Sequence, residues 1–120
     1  MKLLIVDDAK IIHFMAKKIL KENGLADVEC QDAFDGNEAV WQVHKFKPDL
    51  ILLDVEMPER DGISALELIK KNDPNIIVIM VSSHGSKTMI SKATSLGANG
   101  FIQKPFDKDE LCSCIRKVLP

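Results

Sequence analysis

Short apolar runs punctuate the chain: LLIV (3–6), VEC (28–30), LILL (50–53), IIVIMV (76–81) and FI (101–102). The runs are continuous and do not alternate with polar residues, the pattern of strands covered on both faces, as in a parallel sheet flanked by helices. Helical spacing fills the gaps. Ile12, Met15, Ala16, Ile19 and Leu20 fall on one helical face, lysines occupy the other, and Gly24 follows as a stop signal. Asp35 and Glu38 form a capping-box pattern ahead of Ala39, Val40 and Val43, and Asp107 and Glu110 repeat it ahead of Leu111, Ile115 and Val118. Gly62 opens a segment carrying Ile63, Leu66 and Ile69, and another runs through Met89, Ala93 and Leu96 to Gly97. Strand and helix in turn, five times over, predict a doubly wound α/β domain with right-handed crossovers and helices on both faces.

Composition narrows the setting. The 120 residues, 46% hydrophobic and 28% charged, suit one globular domain spanning 1–120. A net charge of -2 supplies no basic stripe of the kind that neutralises nucleic-acid phosphates, so direct nucleic-acid binding is not expected. The longest apolar run, Ile76 to Val81, falls far short of the roughly 20 residues of a membrane helix. Three cysteines, Cys30, Cys112 and Cys114, with no leader-like segment before the first strand, point to a reducing, cytoplasmic setting. Cys112 and Cys114 lie on different faces of a helix without companions to complete a zinc site, and read as ordinary partly buried thiols.

In doubly wound sheets, ligands sit outside the carboxyl ends of the strands near the reversal of strand order. The residues at the ends of strands one, three, four and five are Asp7 and Asp8, Asp54, Ser82, and Lys104. These are predicted to converge. Carboxylates about 4 Å apart repel by roughly 4 kcal/mol per pair at an effective dielectric near 20, which a divalent cation relieves. An all-oxygen site suits Mg2+, or Mn2+, better than zinc. Asp8 alone also reads as a helix cap, the competing structural account.

The motifs LLIVDD, DLILLDVEMPERDG, VIMVSS, LGANGF and QKPF together resemble the receiver domain of two-component response regulators, the CheY-like superfamily, over Met1 to Leu119. The resemblance implies a flavodoxin-like (βα)5 fold with strand order 2-1-3-4-5. It implies Asp54 as acceptor of a phosphoryl group from a histidine kinase, with self-phosphorylation from small phosphodonors and slow self-dephosphorylation. Mg2+ would be held by Asp8, Asp54 and the Glu56 backbone carbonyl, with Asp7 acting through water. Lys104 would charge-stabilise the phosphoryl oxygens, Ser82 would donate a hydrogen bond to one of them, and the Lys104–Pro105 peptide would be cis. Ser82 and Phe101 would form the switch, although an ordinary core role also accounts for Phe101. Met57 and Pro58 would shape the loop after Asp54, and Gly62 would permit the turn into the third helix.

Glu56 and His84 match positions that tune acyl-phosphate lifetime, and Glu56 is expected to act on the attacking water or reach Lys104 at rest. A surface histidine without a role is the competing reading of His84. His13 and His44 read as solvated helix residues without a carboxylate or cysteine partner at ligand spacing. Lys87, Ile90 and Phe101 match a partner face formed by the fourth helix, fifth strand and fifth helix. In character the chain is similar to free-standing chemotaxis regulators, whose downstream target would be a motor switch or a phosphatase. The alternatives are a receiver module from a transcription regulator, methylesterase or hybrid kinase, or a phosphorelay intermediate. Asn99, Gly100 and Cys114 stand where dimerising regulators carry acidic residues and an arginine, so a monomer is expected, with dimerisation on activation kept as an alternative.

A haloacid-dehalogenase-type phosphatase would need its nucleophile and acid one residue apart after the first strand, and Asp7, Asp8 and Ala9 do not supply that spacing. A flavin module would need a Ser/Thr/Gly-rich phosphate loop where DDAKII stands.

Overall fold

The computed structural model describes residues 1–56 and 61–119. The elements alternate without exception: β1 (Lys2–Val6), α1 (Lys10–Glu22), β2 (Glu29–Ala33), α2 (Gly36–Phe46), β3 (Leu50–Asp54), α3 (Gly62–Asn72), β4 (Ile77–Ser82), α4 (Lys87–Ser95), β5 (Gly100–Gln103) and α5 (Lys108–Val118). The five strands pair in parallel in the order β2-β1-β3-β4-β5. This is the predicted doubly wound sheet, with the reversal of order at β1 and β3.

The continuous apolar runs have a direct cause in the two-residue period of a strand. Leu4, Val6, Ile51, Leu53, Val78 and Met80 face one side and pack with Ala39, Ala65, Leu66, Ile69 and Ala93 from α2, α3 and α4. Leu3, Ile5, Leu50, Leu52, Ile79 and Val81 face the other and pack with Ala16, Leu20, Leu111 and Ile115 from α1 and α5. Each fully buried Leu or Ile contributes about 2 kcal/mol of hydrophobic stabilisation, so both layers are required.

The edges of the sheet depart from the sequence reading. β2 begins at Glu29 and continues through Gln31 and Asp32 to Ala33, beyond the VEC run. It is an edge strand with partly exposed positions, so polar residues belong to it and no apolar run marks its end. The helix signals were more exact. Asp35 and Asp107 accept the Glu38 and Glu110 backbone N–H groups, and Asp61 and Ser86 cap α3 and α4 in the same way. Gly97 ends the fourth unit at φ 102, a left-handed conformation that glycine adopts freely. Among the described residues, no helix is long and apolar enough to cross a membrane.

Candidate functional site

Strand register brings the acidic residues together. Val6 pairs with Leu53, so Asp7 leaves β1 beside Asp54 at the end of β3. Asp54 pairs with Val81, placing Ser82 one residue further along β4, and Ser82 pairs with Gln103 next to Lys104. The Lys104 backbone N–H donates to the Ser82 carbonyl at 2.8 Å, and the Lys104–Pro105 peptide is cis, as the resemblance implied.

Asp7 and Asp54 are each 1% exposed, whereas Asp8 faces solvent. One carboxylate oxygen from each of the three lies within 4.8 Å of the others. The Lys104 ammonium stands 2.6 Å from Asp7 Oδ2 and 3.4 Å from Asp54 Oδ1. Burial, then the charge of Asp7, pushes the Asp54 carboxyl up to about 6, with Lys104 and the Glu56 N–H pulling in the opposite direction. Burial alone would lower the Lys104 ammonium, but contact with Asp7 and the charge of Asp54 hold it above its ordinary value. One lysine against three carboxylates leaves the cluster with excess negative charge.

That donor set fits a hard divalent cation. Every candidate ligand is an oxygen, and no histidine or cysteine joins the cluster among the described residues. Asp7 Oδ2 is buried and, despite the nearby ammonium, makes no aligned hydrogen bond. The capping account of Asp8 does not hold. Ala9 is the N-cap of α1 with no side-chain cap, and it is Asp7 Oδ1 that accepts the Ala9 backbone N–H at 2.9 Å.

Gly62, expected to permit the turn into the third helix, stands at the start of α3 where close backbone approach leaves no room for a side chain. Its φ is not in the left-handed region, but a Cβ there would stand 2.1 Å from the Asp54 carbonyl oxygen and 2.7 Å from Val55 Cα. The start of α3 rests directly on the backbone beneath Asp54, and the Gly62 N–H donates to the Val55 carbonyl. Met57 and Pro58, the other residues expected to shape this loop, lie outside the described residues.

On the β4 side, the Ser82 hydroxyl donates to Glu56 Oε1 at 2.6 Å and accepts the His84 backbone N–H at 3.0 Å. His84 Nδ1 lies 3.5 Å from the same Glu56 oxygen. Burial pushes the Glu56 carboxyl up, but the Ser82 hydroxyl, the Ser83 backbone N–H and His84 outweigh it and hold the group below its ordinary range. Glu56 therefore reaches Ser82 and not Lys104, whose ammonium is engaged by Asp7 and Asp54. Phe101 is half-buried against the α2–α3–α4 layer, with its ring edge beside Gly85 and close to where Ile90 approaches the same glycine. Lys87 and Ile90 are exposed on α4.

The sequence reading missed His13. It is 4% exposed and not solvated: Nδ1 lies 2.7 Å from Asp32 Oδ1 and Nε2 lies 2.8 Å from the Asp7 carbonyl. The ring is thus held at both of its nitrogens by oxygen partners. Lys17 completes the group by donating to Asp32 Oδ2 at 2.7 Å. The available signal was periodicity, because His13, Ala16 and Leu20 share the i, i+3, i+7 stripe that enters the core. His44 is exposed, as expected.

A five-stranded doubly wound domain with a buried acidic pocket and a lysine at the carboxyl edge is the architecture of a CheY-like signalling module. The response regulator receiver domain model matches residues 3–116, and the chain belongs to that family. The chain is 42% identical over 118 residues to the chemotaxis protein CheY of Bacillus subtilis, covering 98% of this chain and 97% of the relative. It is 38% identical over 119 residues to sporulation initiation phosphotransferase F of the same organism, covering 99% and 94%. Among solved structures, Vibrio cholerae chemotaxis protein CheY4 superposes with a TM-score of 0.89 at 28% identity, covering 98% of both chains.

Proposed function

We propose that the chain is a phosphorylation-controlled switch that takes a phosphoryl group from a histidine kinase onto Asp54. The observation that carries this reading is the buried Asp54 carboxylate sharing one pocket with Asp7, Asp8 and the Lys104 ammonium. An Asp54 oxygen attacks phosphorus, the bond from phosphorus to the kinase histidine nitrogen breaks, and the freed nitrogen keeps the electron pair. The product is an acyl phosphate. Lys104 shifts its charge from Asp7 and Asp54 toward the phosphoryl oxygens, and the Ser82 hydroxyl donates to one of them. Asp8, Asp54 and the Glu56 backbone carbonyl would hold Mg2+ (or Mn2+), with Asp7 acting through water, and the ion would supply further positive charge to those oxygens. The indirect role of Asp7 is supported by its Oδ1 accepting the Ala9 N–H and its Oδ2 being ion-paired with Lys104.

The output follows from Ser82 and Phe101. As the hydroxyl turns to the phosphoryl group, the aromatic ring moves into the space behind it and alters the face carrying Lys87, Ile90 and Phe101. Small phosphodonors serve as well as a kinase, and hydrolysis by water resets the switch slowly at a rate tuned by Glu56 and His84. The favoured setting is chemotaxis, supported by the similarity to CheY proteins along the whole chain. A phosphorelay intermediate is the second reading, supported by the similarity to sporulation initiation phosphotransferase F.

Intact mass spectrometry after incubation with acetyl phosphate tests the core of this reading. One Mg2+-dependent phosphoryl adduct is expected on the wild type and none on Asp54→Asn. A wild type that stays unmodified at saturating Mg2+ would overturn it.

A further inference from the structure

We propose that Glu56 is a positioning residue that acts through Ser82: in the resting protein it occupies the single hydroxyl proton that the phosphorylated state requires, and so brakes the switch. This inference rests on the phosphoacceptor reading of Asp54. A serine hydroxyl has one proton to donate. Here that proton faces Glu56 Oε1 at 2.6 Å, a short charge-assisted bond, while the lone-pair side of Oγ is filled by the His84 N–H. Ser82 itself is fully buried, and the other acceptor within reach of its hydroxyl among the described residues is the uncharged His84 carbonyl at 3.2 Å, a longer and weaker bond than the one to Glu56.

A phosphoryl group on Asp54 introduces a second anionic acceptor for the same proton. The two acceptors are mutually exclusive. Capture of Ser82 by the phosphoryl oxygens therefore releases Glu56, whose remaining neighbours are the Ser83 N–H and the exposed His84 ring. The free energy of the new hydrogen bond is reduced by that of the old one. Glu56 thus sets how far phosphorylation moves the equilibrium of the Ser82 region, separately from any charge repulsion it exerts on an incoming phosphodonor.

The two effects separate by substitution. Glu56→Gln removes the charge but retains an acceptor oxygen for Ser82, whereas Glu56→Ala removes both. Adduct formation is followed by intact mass with acetyl phosphate and Mg2+ for the wild type and both variants, and for all three in a Ser82→Ala background. The expected result is that Glu56→Ala forms adduct faster than Glu56→Gln by about fivefold, the scale of one net hydrogen bond, and that the ratio collapses to about one when Ser82 is alanine. In the unphosphorylated proteins, the backbone amide resonances of Ser82 to Gly85 and of Phe101 should shift in Glu56→Ala and stay near wild type in Glu56→Gln.

Equal rates for Ala and Gln, or a ratio that survives in the Ser82→Ala background, would overturn the brake while leaving Asp54 as the phosphoacceptor. A wild type that takes up no phosphoryl group overturns the phosphoacceptor reading, and the brake falls with it.

Discussion

The pocket has two flanks of different construction. On the β1–β2 side, His13 bridges the Asp32 carboxylate and the Asp7 carbonyl, Lys17 doubles the hold on Asp32, and the Asp7 N–H donates to the Ala33 carbonyl. These ties join regular elements, and the central ring is buried. On the β4–β5 side, Ser82, Glu56 and His84 share one hydroxyl and one carboxylate oxygen, and both Glu56 and His84 are exposed loop residues. These bonds can exchange without displacing a helix or a strand. On the proposed function, the difference would separate two tasks, one flank holding the acidic cluster in place and the other reporting on it.

The fixed side includes the floor, and the largest effect is expected there. Gly62→Ala places a methyl carbon against the Asp54 carbonyl and Val55 Cα, backbone that cannot turn aside as a side chain would. A loss of about 3 kcal/mol or more in urea unfolding is expected, at the severe end of overpacking. A change below about 1 kcal/mol would mean that the floor yields and that the fixed side is not fixed.

Next is His13→Ala, which strips a buried partner from both Asp32 and the Asp7 carbonyl. The expected cost is about 2 to 3 kcal/mol, with partial recovery in His13→Gln, which can restore one donated bond. Asp32 adds a pH signature. Burial raises its carboxyl, but the Lys17 and His13 contacts outweigh this and hold it below its ordinary value. A carboxylate depressed in the folded state contributes stability above its unfolded pKa that is lost as pH falls through the folded one. Asp32→Asn should therefore flatten the acid limb of the stability curve.

Asp54 has the opposite sign. Its carboxyl is raised from 3.8 to about 6, so without metal the folded protein binds the proton more tightly than the unfolded chain does. This group then costs stability progressively as pH rises from about 4 to about 6, and the full cost stands at neutral pH. Asp54→Asn should stabilise the metal-free protein at pH 7 by on the order of 2 kcal/mol, with the gain absent at pH 3. Chelated wild type and variant melted side by side check this. Equal melting at pH 7 would show that Lys104 already neutralises the cluster.

Much of this arrangement was legible because it rests on period and position. Continuous runs such as LILL and IIVIMV gave a two-faced sheet, and the residue after the first, third and fourth runs gave Asp7, Asp54 and Ser82 a common edge, with Lys104 two residues past the fifth. β2 was only half legible, because on an edge strand polar Gln31 and Asp32 cost little. His13 was read as solvated because its partner Asp32 lies 19 residues away on that same strand, beyond the reach of helical spacing. Of the two roles expected of Glu56, acting on the attacking water or reaching Lys104 at rest, the second gives way to Ser82 for a related reason. Sequence shows which charges exist, whereas the choice among acceptors and donors depends on which pairs are already complete.

The smallest effect is expected at His84, and it is the sharpest test of the looser flank. Its side chain is 83% exposed, its ring lies 3.5 Å from a Glu56 oxygen that already accepts the Ser82 hydroxyl, and the bond to Ser82 is made by its backbone N–H. His84→Ala keeps that N–H and removes only a solvent-screened contact, so stability should change by less than about 0.5 kcal/mol. The amide resonances of Ser82 and Phe101 in the resting protein should likewise stay in place. A cost near that of His13→Ala would give the two flanks the same rigidity, and the division between a wall that holds and a wall that reports would be lost.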